Sequence, residues 1–177
     1  MHLSKSKVLF MAACTGLIVA NLYYCQPLIV LIAKEFGIQE ADAGSITYLT
    51  QAGYAIGLFF MVPLGDKIER KKQILITTFA SVIALIIAAT AQSYLILEIA
   101  SLLIGITSSV PQLISPLAAS LSEPTQRGKV VGTIMSGLLV GILLSRTLSG
   151  LVGELWGWRA MFWIAAGLCL LILIVIQ

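Results

Sequence analysis

Charge is what this 177-residue sequence lacks most. Asp, Glu, Lys and Arg together make up 11% of it, less than half the roughly 25% of a soluble globular chain. A chain so poor in charge cannot clothe a globular surface. Histidine is nearly absent as well: His2 is the only one, so an intramembrane serine hydrolase would have no base at depth. No acid pair and no Cys/His cluster falls inside an apolar run, so neither a catalytic centre nor a metal or other cofactor is expected. A Gly-x4-Gly-Lys-Ser/Thr loop is missing too, which disfavours ATP-driven work by this chain alone. The net charge of +3 is small and spread along the chain, which argues against nucleic-acid binding. Cys14, Cys25 and Cys169 are odd in number and lie in apolar runs, so they read as small buried hydrophobes.

What is there is hydrocarbon. Hydrophobic residues make up 59% of the chain and the mean hydropathy is +1.01. Charge-free runs cover 8–33, 43–65, 73–97, 99–122, 130–145 and 160–177. The stretch from 73 to 122 breaks at Gln92-Ser93, a tight turn between two helices. Six helices are predicted, at about 8–32, 44–64, 74–92, 94–118, 130–152 and 159–177, each able to cross about 30 Å of hydrocarbon. The fold class is therefore all-α, a polytopic membrane protein in contact with lipid over most of its surface. Lys5, Lys7, Lys67, Arg70, Lys71, Lys72, Arg127 and Lys129 fall at one set of helix ends, against Lys34 and Arg159 at the other. The positive-inside rule makes the basic end cytoplasmic, with both termini there, in a multi-pass protein of the cell membrane. Trp156, Trp158 and Trp163 read as anchors at the outer interface.

Sliding the sequence on itself by 84 residues sets Pro27 on Pro111, Gly44 on Gly128, Gly53 on Gly137 and Gly57 on Gly141. The register suggests two copies of a three-helix unit, about 8–92 and 94–177. Three helices per copy would make the copies inverted in the membrane, as in alternating-access transporters. Independent use of Gly and Pro in packed membrane helices would give the same matches. Small residues recur every four positions in the fifth helix (Gly137, Gly141, Ser145, Ser149, Gly153), with Gly53 and Gly57 as counterparts in the second. Such stripes let helix backbones approach closely. Glu98 and Arg146 are the two charges well inside predicted helices, both near the outer end. They are expected to pair, either structurally or as a gated contact that breaks when the acid is protonated.

Pro63-Leu64-Gly65-Asp66-Lys67-Ile68-Glu69-Arg70-Lys71-Lys72 is the most specific segment. It resembles the loop between helices 2 and 3 of the major facilitator superfamily. Asp66, Lys67, Arg70 and Lys71 match its acid and basic positions, while Val62 and Glu69 replace two of its glycines. In that family the loop steadies one conformational state by facing the other six-helix half. Asn21-Leu22-Tyr23-Tyr24-Cys25-Gln26-Pro27, Gly141 to Gly150 and Gly157-Trp158-Arg159 resemble the drug:proton antiporter branch and its sugar- and chloramphenicol-efflux relatives. Departures are Ser145-Arg146 where that branch has Gly-Pro, and Ser101 in place of a proton-relay arginine.

The resemblance implies a twelve-helix fold of which this chain would be the first half. Helices 1 and 4 would line the central cavity, making Asn21, Tyr24, Gln26 and Gln112 candidate lining residues; tying helices together is their alternative role. The implied function is proton-coupled efflux of a small organic compound by alternating access. The alternative is a non-transporting half, or a regulatory or assembly subunit. Because no basic anchor follows the sixth helix, the sequence reads as cut at an interdomain linker. A second six-helix half, or a homodimer partner, would complete it.

Overall fold

The computed structural model of the protein describes residues 4–65 and 67–176, and these form helices and turns with no strand. The helices are α1 (Lys5–Ala20), α2 (Ile29–Phe36), α3 (Glu40–Ala43), α4 (Ser45–Leu64), α5 (Arg70–Ala89), α6 (Tyr94–Thr107), α7 (Pro111–Ser120), α8 (Arg127–Trp156) and α9 (Trp158–Ile176). Local signals set several ends. Ser4 and Ser93 cap α1 and α6, their hydroxyls accepting from the Lys7 and Ile96 amides. Gly37 ends α2 in the left-handed conformation, at φ 65°, where a side chain would be strained.

Among the described residues, five helical stretches are long and apolar enough to cross a membrane: Glu40–Leu64, Arg70–Ala89, Tyr94–Ser120, Arg127–Trp156 and Trp158–Ile176. The first expected span, 8–32, is not continuous. α1 stops at Ala20, and the chain tightens through three-residue turns into a 3-10 segment, Gln26–Leu28. Pro27 is the cause. Its ring conflicts with the Tyr23 carbonyl one turn back and it has no amide to offer. The Tyr23 carbonyl accepts from the Gln26 amide instead. A similar interruption, Ser108 to Val110, stands before Pro111 at the start of α7.

Three helix pairs hold the bundle: α1 with α8, α4 with α6, and α5 with α9. Contacts between α1 and α8 advance together along both helices, from Ala12–Gly137 to Gly16–Gly141, so the two run parallel. Those between α4 and α6 also advance together, from Gly53–Leu102 to Gly57–Ile106. The pair α5 and α9 is antiparallel: Arg159, at the start of α9, reaches the Ala91 carbonyl beyond the end of α5. One apolar cluster fills the end nearest Trp158 and Leu97, and a second fills the basic end around Ile18, Val110 and Ile134.

Candidate functional site

Two glycine seams position everything else. A methyl group at Gly53 or Gly57 would run into the Leu102 or Ile106 carbonyl of α6, and one at Gly105 into the Thr50 carbonyl of α4. Along the other seam a methyl at Gly137 would strike the Ala12 carbonyl, and one at Gly16 would lie 2.5 Å from the Gly137 oxygen. Ser145 and Ser149 continue this stripe and are buried. Ser149 donates to the Tyr24 carbonyl in the break of the first helix, and Gly153 packs on Leu28. The small-residue stripe of α8 is thus filled by α1 and the segment after it, so it does not await an opposite half. What remains uncovered on α8 is the large-residue side, including Leu139, Leu143, Leu151 and Leu155; on α4 it is Tyr48, Phe59 and Phe60.

The expected Glu98–Arg146 ion pair is not formed. Helical phase keeps the two apart: Glu98 lies on α6, which packs on α4, and Arg146 on α8, which packs on α1. Glu98 accepts a 2.6 Å hydrogen bond from the Ser45 hydroxyl. That hydroxyl lies 2.8 Å from the Tyr94 hydroxyl, which also reaches the Asp42 carbonyl at 2.9 Å. Arg146 is exposed, and its guanidinium lies over the Tyr23 ring, 5.6 Å from the centroid, within cation–π range.

The candidate lining residues divide. Asn21 and Tyr24 are buried inside the bundle, 2% and 3% exposed. The Asn21 amide nitrogen lies 3.5 Å from both the Ser81 hydroxyl of α5 and the Cys169 sulfur of α9, so it ties three helices together where the first one breaks. Gln26 is half-buried. Gln112 is half-buried too and donates to the Tyr54 hydroxyl at 3.1 Å, fastening α7 to α4 just past the second break.

In the basic hairpin, Lys67 and Lys71 are exposed and Arg70 is half-buried at the start of α5; Asp66 lies outside the described residues. Gly65, just before it, is buried against Gln73 and Leu113. Gln73 in turn donates to the Met61 carbonyl of α4. The hairpin is therefore held close to α4, α5 and α7.

At the opposite end the sequence reading missed a clasp. Arg159 binds Glu35 and the Ala91 carbonyl (2.7 Å for the latter), while the Trp158 indole donates to the second Glu35 oxygen at 2.6 Å. The Arg159 guanidinium beside Glu35 holds its carboxyl below the ordinary value of 4.5. Trp158 is no interfacial anchor: it is 3% exposed and packs on Phe36 and Phe162, whereas Trp156 and Trp163 do face outward. An aromatic inside a half-exposed polar cluster is indistinguishable from an anchor in sequence. The Gly-Trp-Arg run was the available hint.

The sequence profile of the Major Facilitator Superfamily matches residues 8–177. The chain is 47% identical over 165 residues to the uncharacterized transporter YgaY of Escherichia coli O157:H7, covering 93% of this chain and 42% of that one. It is 27% identical over 144 residues to multidrug resistance protein D of Escherichia coli K12, covering 81% of this chain and 36% of the relative. It therefore spans about two-fifths of the length of these relatives. A crystal structure of a peptide transporter, POT, in complex with alafosfalin shares the fold, with a TM-score of 0.81 at 19% identity over 95% of this chain and 37% of that one. Broken helices on glycine seams, the basic hairpin and these matches agree: the chain belongs to the major facilitator superfamily of membrane transporters.

Proposed function

We propose that the protein is a six-helix half of a secondary transporter, exporting a small organic compound in exchange for protons by alternating access. The observation that carries this is the pattern of covered and uncovered faces. Both glycine seams are filled within the six helices, yet α4 and α8 keep long faces of large apolar residues open. Only 22% of the membrane window of α4 and 17% of that of α8 is buried, against 56% for α5. A second six-helix half packed on α4 and α8 would enclose a central space walled by the broken helices, where transporters of this construction bind their substrates. The relatives' transporter and multidrug-resistance names support export.

The packing also supports six spans arranged as two inverted three-helix repeats. The α1–α8 and α4–α6 seams exchange under the 84-residue register, which carries Gly53 and Gly57 onto Gly137 and Gly141. Both helix breaks precede the prolines that the register aligns. On this reading the basic end is cytoplasmic and the protein sits in the cell membrane. A single cysteine at Glu69 would then resist an impermeant thiol reagent on intact cells.

The direct test is reconstitution into liposomes with an imposed pH gradient and a panel of labelled drugs, chloramphenicol among them. Gradient-driven uptake is expected when a second six-helix half or a homodimer partner is supplied. Equal uptake by strictly monomeric chains would overturn the two-half reading, and no uptake with either partner would overturn the transport reading.

A further inference from the structure

Arg146 makes a demand that these six helices do not meet. It sits ten residues before the end of α8, about 15 Å along the helix axis from that end. Its guanidinium stays charged at any working pH and carries five donors in a planar fork. Its guanidinium carbon lies over the Tyr23 ring, 5.6 Å from the centroid; among the described residues no hydrogen bond or ion pair reaches its nitrogens. A charge at such depth is costly without a partner or water.

The surroundings indicate what the partner is. Tyr23 belongs to the break in the first helix, and a methyl group at Gly150, one turn along α8 from Arg146, would lie 3.6 Å from the Pro27 side chain. Interrupted helices are where transporters place substrate. Around Arg146 the exposed residues Leu139, Leu143 and Thr147 make a mostly apolar wall. Leu139, Leu143 and Thr147 bring no acid to this wall; Glu98 is bonded by Ser45 and Glu35 by Arg159 and Trp158, and Glu154 lies eight residues further along α8. Resting on the transport reading for the cavity it faces, we propose that Arg146 and Tyr23 form the recognition site for an organic anion, a carboxylate or sulfonate on an apolar body. The anion would take the guanidinium's donors in a forked, charge-assisted contact, with the apolar body against the leucines.

Binding of 2-naphthoate and its neutral amide, 2-naphthamide, to the full 177-residue chain in nanodiscs tests this by ligand-observed saturation-transfer NMR. The wild-type chain should bind naphthoate in preference to naphthamide. Arg146→Gln should weaken naphthoate binding about tenfold or more, the scale of a charge-assisted hydrogen bond, and leave naphthamide unchanged. Arg146→Lys should retain part of the preference, and Tyr23→Leu should reduce binding while Tyr23→Phe preserves it. Equal naphthoate binding by wild type and Arg146→Gln would overturn the proposal. So would no naphthoate binding by the wild-type chain, an outcome that points to a carboxylate of a second half as the partner of Arg146. Liposome uptake separates the two readings. Arg146-dependent binding without gradient-driven uptake of any probe counts against transport alone. Uptake of cationic probes, unaffected by Arg146→Gln, counts against the anion site alone.

Discussion

The two glycine seams are built alike and used differently. Both join parallel helices through backbone contacts that a single methyl would obstruct. The α4–α6 seam stops at the second helix break and carries no charge beyond it, where Gln112 simply ties α7 to Tyr54. The α1–α8 seam runs on past the first break, through Ser149 on the Tyr24 carbonyl and Gly153 on Leu28, and brings Arg146 alongside Tyr23. One architecture thus supplies two frameworks, and only one of them presents a cation. In the proposed repeat the two copies share their packing, and the proposed site arises where they differ.

The largest expected effect falls on both seams equally. Gly141→Leu and Gly57→Leu each force a side chain into a neighbouring backbone, and overpacking of this kind costs about 1–3 kcal/mol or more. Both variants should lose most of their folded yield, read as monodisperse protein in size-exclusion chromatography and as Tm. If Gly57→Leu were tolerated while Gly141→Leu was not, the seams would not be equivalent.

Ser149→Ala should sharpen the contrast. It leaves the Tyr24 carbonyl, in the break, without its side-chain donor, a loss of about 1–3 kcal/mol for a buried group. Gln112→Leu, at the corresponding fastening of the other seam, exchanges one half-buried hydrogen bond for apolar packing and should cost less, about 1 kcal/mol or under. Thermal unfolding of the two variants in the same detergent compares them.

A smaller effect belongs to the clasp at the end opposite the basic hairpin. The Glu35 carboxyl titrates lower folded than unfolded, chiefly because of Arg159. Its contribution is therefore fully present above the unfolded value and lost as pH falls through the depressed folded value. Glu35 is 44% exposed, so solvent screening keeps the gain small. Wild-type Tm should fall more steeply below about pH 4.5 than that of Glu35→Gln, and the two curves should converge at acid pH. Parallel curves would remove the clasp's ionic component.

Smallest of all is the effect of Arg146→Gln on stability. An exposed side chain with no hydrogen-bonded partner should change unfolding by no more than about 0.5 kcal/mol, whatever it does to ligand binding. A large loss of Tm would make Arg146 a structural residue.

The helices were legible because charge punctuates the sequence: the starts of α4, α6 and α9 fall within a residue or so of their expected positions. The break at Asn21 to Leu28 was not foreseen, since a proline at a charge-free position leaves hydropathy untouched while removing a hydrogen bond. The small-residue stripe of α8 was recognised, but not its partner; spacing fixes which face packs closely and says nothing about against what. The Glu98–Arg146 pairing failed for a related reason. Depth along a helix can be counted from sequence, but neighbours cannot, and α6 and α8 each face a different helix. Asn21 and Tyr24 show the same gap, since polarity near a proline suits a cavity wall and an interhelical tie alike.

Residues 145 and 146 test the central claim most directly, because adjacent positions on α8 are assigned opposite surroundings: Ser145 sealed in the α1 seam at 1% exposure and Arg146 open beside the broken helix. Cysteines 14, 25 and 169 are buried and can be replaced beforehand. Ser145→Cys and Arg146→Cys would then be treated with a charged methanethiosulfonate, which reacts only where water reaches. Rapid labelling at 146 with protection at 145 is the predicted result. Protection at 146, or labelling at 145 as fast as at 146, would contradict an aqueous site beside a closed seam.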